Sequence, residues 1–195
     1  MKRRLATLLL IAAAAAVLFA MQRNSPRYDQ LTGPIPVAGR MGHPVHTRLF
    51  DARVERVDFA RQLVYQRFGR QTVRTTSGLW AIVTAELAAR SRSVNVGQAA
   101  WVGPQGLQYL LSDRLGLAPG QPPHRLDPGL PRRVQFIFEI RADQAGGATL
   151  WLSERLSPRL DSEARIALDE LPRSTDGALY VNDSFDIGPV RKAPP

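Results

Sequence analysis

Cysteine is absent from the 195 residues. That removes disulfides, thiolate metal sites, cysteine nucleophiles and the acylated cysteine of a bacterial lipoprotein together. Histidine is scarce, with only His43, His46 and His124. Lysine is nearly missing: only Lys2 and Lys192 accompany a large arginine complement. Long runs of one charge are missing too, since no basic run after residue 4 exceeds a pair. A net charge of +9 would permit a nucleic-acid partner, but the scattered arginines form no stripe, and nucleic acid is not expected. Setting aside Lys2, Arg3 and Arg4 leaves 23 basic residues against 17 acidic ones.

What is present first is an N-terminal apolar stretch. MKRR precedes LATLLLIAAAAAVLFAM, Leu5 to Met21, which carries no charge. As a helix this run is about 25 Å long, against about 30 Å for a bilayer's hydrocarbon core. A basic start and an apolar centre mark an export segment. Small residues at a cleavage site are poorly supplied, because Leu18 stands two places before Ala20. The expectation is an uncleaved single-pass anchor in the cytoplasmic membrane, with Lys2–Arg4 retained inside and the remaining chain outside. The alternative is a cleaved signal and a secreted or periplasmic product.

The domain organisation read from composition is an anchor or signal at 1–21, a linker at 22–44, one domain at 45–171 and a partly disordered tail at 172–195. The linker and tail are rich in Pro and Gly and hold no period. Between them the pattern is strand-like. In Arg133–Arg141 (RVQFIFEIR), Val134, Phe136, Phe138 and Ile140 alternate with Arg133, Gln135, Ile137 and Glu139, the signature of a half-buried strand. Further strands are predicted in Val45–Phe59, Leu63–Phe68, Leu79–Ala89, Ala148–Ser153 and Arg165–Leu168, with a short one at Ala178–Val181. Trp101-Val102 and Leu107–Leu111 flank Gly103-Pro104-Gln105-Gly106, which predicts a hairpin. Helical signal is confined to the N-terminal segment. Several short strands spaced by turns argue for an all-β sandwich.

The order of these elements resembles an immunoglobulin-like β-sandwich family of unknown function (the domain of unknown function 4352 type), found in exported or membrane-anchored bacterial proteins. The resemblance rests on the apolar strand LWAIVTAEL, the hairpin GPQGLQYL, the step Leu126-Asp127-Pro128-Gly129, the strand VQFIFEI and the closing segments ATLWLS and ARIALDEL. It covers about residues 45–171. It implies an immunoglobulin-like sandwich and carries no catalytic residues.

Candidate chemistry is sparse. Met41-Gly42-His43-Pro44-Val45-His46 offers two imidazoles and a thioether, ligands suited to a soft metal, so His43 and His46 are weak metal candidates. His124 reads as an exposed loop residue among prolines. There is no GxSxG, GxxxxGK[ST] or HExxH pattern; Ser91, Ser93 and Ser112 have no suggestive histidine partner, and Asp161 and Glu163 lie in a loop-like stretch. Neither catalysis nor a cofactor is expected. The tryptophans Trp80, Trp101 and Trp151 read as core by default, with Trp101 the likeliest of the three to be exposed, near its turn. Arg114–Arg132, rich in Pro, Gly and Arg, is long for a loop, and long ordered loops are usually functional. Arg114, Arg125, Arg132 and Arg133, with Trp101, are the predicted interaction residues. The leading expectation is an envelope accessory module that binds another envelope protein. A metal- or ligand-binding protein using His43 and His46 is the alternative, and an envelope hydrolase is third.

Overall fold

The computed structural model describes residues 2–24, 33–115, 122–154 and 161–188. The chain divides into two compact units, Met1–Gly33 and Pro34–Pro195. The first contains α1 (Lys2–Asn24), which takes in the predicted apolar helix. Among the described residues no helix is long and apolar enough to cross a membrane. The uncharged part of α1 spans only about 25 Å. The single-pass anchor therefore finds no support in the helix, and what stands is an N-terminal helix ahead of a β domain.

The second unit is a sandwich of two sheets with every strand of the chain's described part. One sheet orders β1 (Ile35–Arg40), β11 (Ser162–Ala167), β10 (Thr149–Ser153), β6 (Gln98–Val102) and β7 (Gln108–Leu110). The other orders β12 (Asn182–Asp186), β3 (Phe50–Arg67), β4 (Arg70–Ala89) and β9 (Arg132–Ile140), with β2 (Val45–His46) also on β3. A two-stranded pair, β5 (Val94–Val96) and β8 (His124–Leu126), completes the set. Both sheets, their pairings and their core lie within Pro34–Pro195.

The alternation of β9 reads as expected. Val134, Phe136, Phe138 and Ile140 all enter the main core, where Val54, Phe59, Val83, Leu150 and Ile166 meet them from both sheets. The opposite face is not open, however. Ile137 joins Leu63, Tyr65, Trp80, Ile82, Leu115 and Ile187 in a second cluster. This is why LWAIVTAEL reads as a continuous apolar run: β4 is buried on both faces. The 98–110 hairpin forms as predicted, with Trp101 opposite Tyr109.

The domain's ends differ from the sequence reading. Ile35–Arg40 lies in the predicted linker, yet it pairs in parallel with β11, Ile35 opposite Ser162 and Arg40 opposite Ala167. Asn182–Asp186 lies in the predicted tail, yet it pairs in parallel with β3. The short strand expected at Ala178–Val181 is displaced to this segment. Each of these edge strands is held by partners more than 100 residues away, so local composition does not reveal it. The predicted strands at Val45–Phe59 and Leu63–Phe68 are largely one long strand, β3, whose register with β4 shifts at Val54/Arg56 and again at Ala60/Gln62. The end of the tail, including KAPP, lies outside the described residues.

Candidate functional site

A register shift in the β3–β4 pair lies beside a broad surface groove. Ala60 faces Trp80, but the next pair is Gln62 with Thr75. Arg61 therefore stands alone opposite Thr76–Leu79. Such a bulge bends a strand and re-aims a side chain. Gly78 sits in this bulge because the backbone of β9 approaches it: a Cβ there would collide with the Ile140 carbonyl oxygen. The groove holds about 740 Å³. Leu79 and Ile140 floor it, and Tyr109, Leu179 and Val181 form apolar walls. Arg61, Ser77, Glu139, Arg141 and Asp143 supply its polar rim.

The rim's charges are mostly committed within the protein. Arg114 donates to both Glu139 oxygens at 2.9 and 3.0 Å and to the Thr75 carbonyl at 3.0 Å. Thr76 adds a 2.6 Å hydrogen bond to Glu139. Arg141 holds Asp143 through two contacts of 3.0 and 2.9 Å. The Asp143 carboxyl lies below the usual carboxylate range, chiefly through the Gln144 side-chain amide and secondarily through Arg141. Arg61, exposed at the mouth, makes no such pair among the described residues. An apolar floor with a guanidinium that is uncommitted among the described residues suits a segment or ligand bearing a carboxylate.

The predicted interaction residues do not gather at one place. Arg114 is drawn into the groove's rim, with its guanidinium also 5.4 Å above the Trp80 ring. Arg133 pairs with Glu55 at 2.7 Å. Arg132 donates to the Arg125 carbonyl, and Arg125 stands 3.4 Å from Asp127. Arg114–Arg132 is not one uninterrupted loop: it includes a 3₁₀ turn (Asp113–Leu115) and β8, and residues 116–121 lie outside the described part. Trp101 corrects the expectation of exposure. It is fully buried, donates its indole N–H to the Gln144 carbonyl at 2.9 Å, and meets Phe59 edge-on at 5.9 Å. Gly103 explains how Gln144 comes so near, since a Cβ at that position would strike the Gln144 side chain. The strand QAAWV carries no alternation that could have shown this, since Ala99, Ala100 and Trp101 are all buried.

The histidines separate. His43 is exposed, and His46 places Nδ1 2.9 Å from Asp51 Oδ1. Arg90 lies 3.7 Å from the same carboxylate, so a guanidinium already occupies the charge a cation would need. Among the described residues no group of three or more potential ligands gathers. His124 is buried, contrary to the loop reading. Its ring meets Phe136 edge-on at 5.2 Å, and burial lowers its pKa to about 4. Ser93 bonds Asp127 at 2.6 Å rather than a histidine. Asp161 is held at about 2 by its Arg48 partner first, with the Ser162 backbone and hydroxyl assisting. Glu163 is buried beside Arg165 at 3.0 Å.

The class defined by this architecture is a two-sheet β-sandwich with an arginine-rimmed groove at one end. No family model matches the sequence, and no curated protein matches it. Two solved structures are similar. One is an uncharacterized β-sandwich protein from Clostridium difficile 630, at 11% identity and a TM-score of 0.45, over 74% of this chain and 100% of that one. The other is MPT63, a secreted protein from Mycobacterium tuberculosis, at 13% identity and a TM-score of 0.46, over 69% of this chain and 98% of that one. The sandwich itself rests on the strand pairing given above. The 4352-type family in particular has no match behind it.

Proposed function

We propose that this protein is an exported, non-catalytic β-sandwich of immunoglobulin-like type that serves the cell envelope as an accessory binding module. Export is read from the basic start and the uncharged 17-residue run Leu5–Met21. With that run short for a bilayer span, release as a secreted or periplasmic domain is the reading retained. The observation that carries the binding role is the groove beside the bulge, lined by Arg61, Leu79 and Ile140, with Arg61 in no ion pair among the described residues. A carboxylate-bearing segment of a partner envelope protein fits it: the carboxylate meets the guanidinium, and apolar side chains meet the floor. The absence of catalytic duty is read from the rim chemistry, where Glu139 and Asp143 are already bound to arginines and no histidine lies among the lining residues. An acid or base held this way is a poor proton carrier.

A photo-crosslinking amino acid in place of Ser77 tests this in the native host. A discrete adduct is expected in the full-length protein and should vanish with Arg61→Glu, while both proteins melt cooperatively. The same adduct in Arg61→Glu, or none in either, rejects the groove as the docking site.

A further inference from the structure

The tip of the β3–β4 hairpin, beyond the buried Leu63 and Tyr65, belongs to neither core nor groove. Beyond the bulge, Gln62 to Arg67 pair with Thr75 to Arg70. On the β4 side the last partner in β9 is Ile140, opposite Leu79. On the β3 side β12 reaches only Val64. Tyr65 is still buried beside Ile187 in the second core cluster. The last pairs of the ribbon, Gln66–Arg67 with Arg70–Gln71, are two-stranded and project past both neighbours by two residues, about 7 Å.

At its tip the chain turns through Phe68 and Gly69, with φ of 49° and 74°. Two-residue hairpin turns with both φ positive favour Asn-Gly, Asp-Gly or Gly-Gly. Phenylalanine in the left-handed region is costly, and such outliers concentrate where they are used. Neither packing nor turn chemistry accounts for it: Phe68 is 87% exposed, and the Arg67 guanidinium lies 5.5 Å from its ring centroid. Val73 is also exposed on the arm.

The charge of the arm is of one sign. No Asp or Glu occurs from Phe59 to Ala85, while Arg61, Arg67, Arg70 and Arg74 all fall there. Among the described residues, none of these four pairs with a carboxylate, although the protein's other arginines commonly do.

We propose that this hairpin tip docks on an anionic phospholipid surface, with Phe68 entering the headgroup boundary and Arg67 and Arg70 meeting lipid phosphates. An aromatic ring flanked by cations is the composition that partitions to such interfaces. The shape selects lipid over a folded partner. A stable protein interface buries about 800 Å² on each side, and a two-stranded tip with one protruding ring offers far less. A lipid surface requires no matching pocket.

The test uses the full-length protein and its lack of native cysteine. Gln71→Cys, exposed beside the tip, is labelled with an environment-sensitive dye. Vesicles of phosphatidylglycerol and phosphatidylcholine are compared with vesicles of phosphatidylcholine alone. The expected result is a blue shift on the anionic vesicles only, falling off with salt. In the labelled protein, Arg67→Gln with Arg70→Gln should weaken the titration midpoint roughly fivefold per arginine. Phe68→Ser should lose the blue shift while retaining weak salt-sensitive association. The same dye at Gln105→Cys, on a different hairpin, should stay in water. Binding of the protein to vesicles with no response at position 71 would overturn the proposal, since the N-terminal helix would then be the sole contact. An equal response on neutral vesicles would overturn it too. So would a response to DNA or polyglutamate without one to anionic vesicles. Arg61→Glu, which reports on the groove, is a separate variant, so the two readings fail independently.

Discussion

Replacing His124 with phenylalanine should flatten the protein's loss of stability between pH 6.5 and 4. His124 pairs with Val96 across β5 and β8, packs its ring against Phe136, and is only 5% exposed. Burial lowers its pKa from 6.5 to about 4, with Arg132 adding to the depression and a hydrogen bond to the Gln135 backbone opposing it. Among the described residues the buried Nε2 has no partner to stabilise a second proton. In this window the unfolded chain binds a proton that the folded protein refuses. Stability is therefore fully present above pH 6.5 and falls as the pH drops toward 4. One pKa unit corresponds to about 1.4 kcal/mol, so the shift of 6.5 to about 4 sets a limit of about 3 kcal/mol. At pH 5 about 2 kcal/mol of it should already be lost. Urea unfolding at pH 7.5, 6.5, 5.5 and 5.0 measures this directly, with His124→Phe retaining an aromatic ring and removing the titration. The substitution also removes the bond to Gln135, so the readout is the pH slope and not the absolute stability. Asp161, at about 2, loses its contribution only as the pH falls from 3.8 toward 2, well outside this window. Equal slopes in the two proteins between pH 6.5 and 5 would refute the buried, neutral assignment.

Phe136→Ala or Phe138→Ala should each cost about 3–5 kcal/mol in chemical unfolding, because both rings are fully buried; losses below 1 kcal/mol would contradict the register of β9. Gly78→Ala should destabilise the domain by about 1–3 kcal/mol and distort the groove, because the new Cβ meets the backbone of Ile140; a neutral Tm would count against that close approach. Trp101→Phe should cost about 1–3 kcal/mol, since it leaves the buried Gln144 carbonyl without its indole donor; near-UV circular dichroism and Tm together check it. A periplasmic reporter fused after Pro195 should be active only on export, and cytoplasmic activity there would defeat the reading of Leu5–Met21.

The sequence by itself determined the features written in short-range periodicity. The uncharged stretch Leu5–Met21 specified a helix, because nothing in it can break or solvate one face selectively. Alternation in RVQFIFEIR specified β9 and its inward face, since successive strand side chains point to opposite sides. The Gly-Pro-Gln-Gly turn specified the hairpin of β6 and β7. Tertiary structure decided what depends on distant partners. β1 and β12 have unremarkable local composition and exist as strands because β11 and β3 offer them parallel edges. Trp101 is buried because Phe59 and Gln144, 42 and 43 residues away, close over it. His124 is buried because Phe136 covers it, although the prolines before it read as exposed loop. The arginines of the 114–132 segment became internal ion-pair and carbonyl ligands because the fold set Glu139, Glu55 and Asp127 beside them or their neighbours. The groove has no sequence motif at all: it lies beside a register shift that sets Arg61 alone against Thr76–Leu79, and register is a property of two strands together, not of either one.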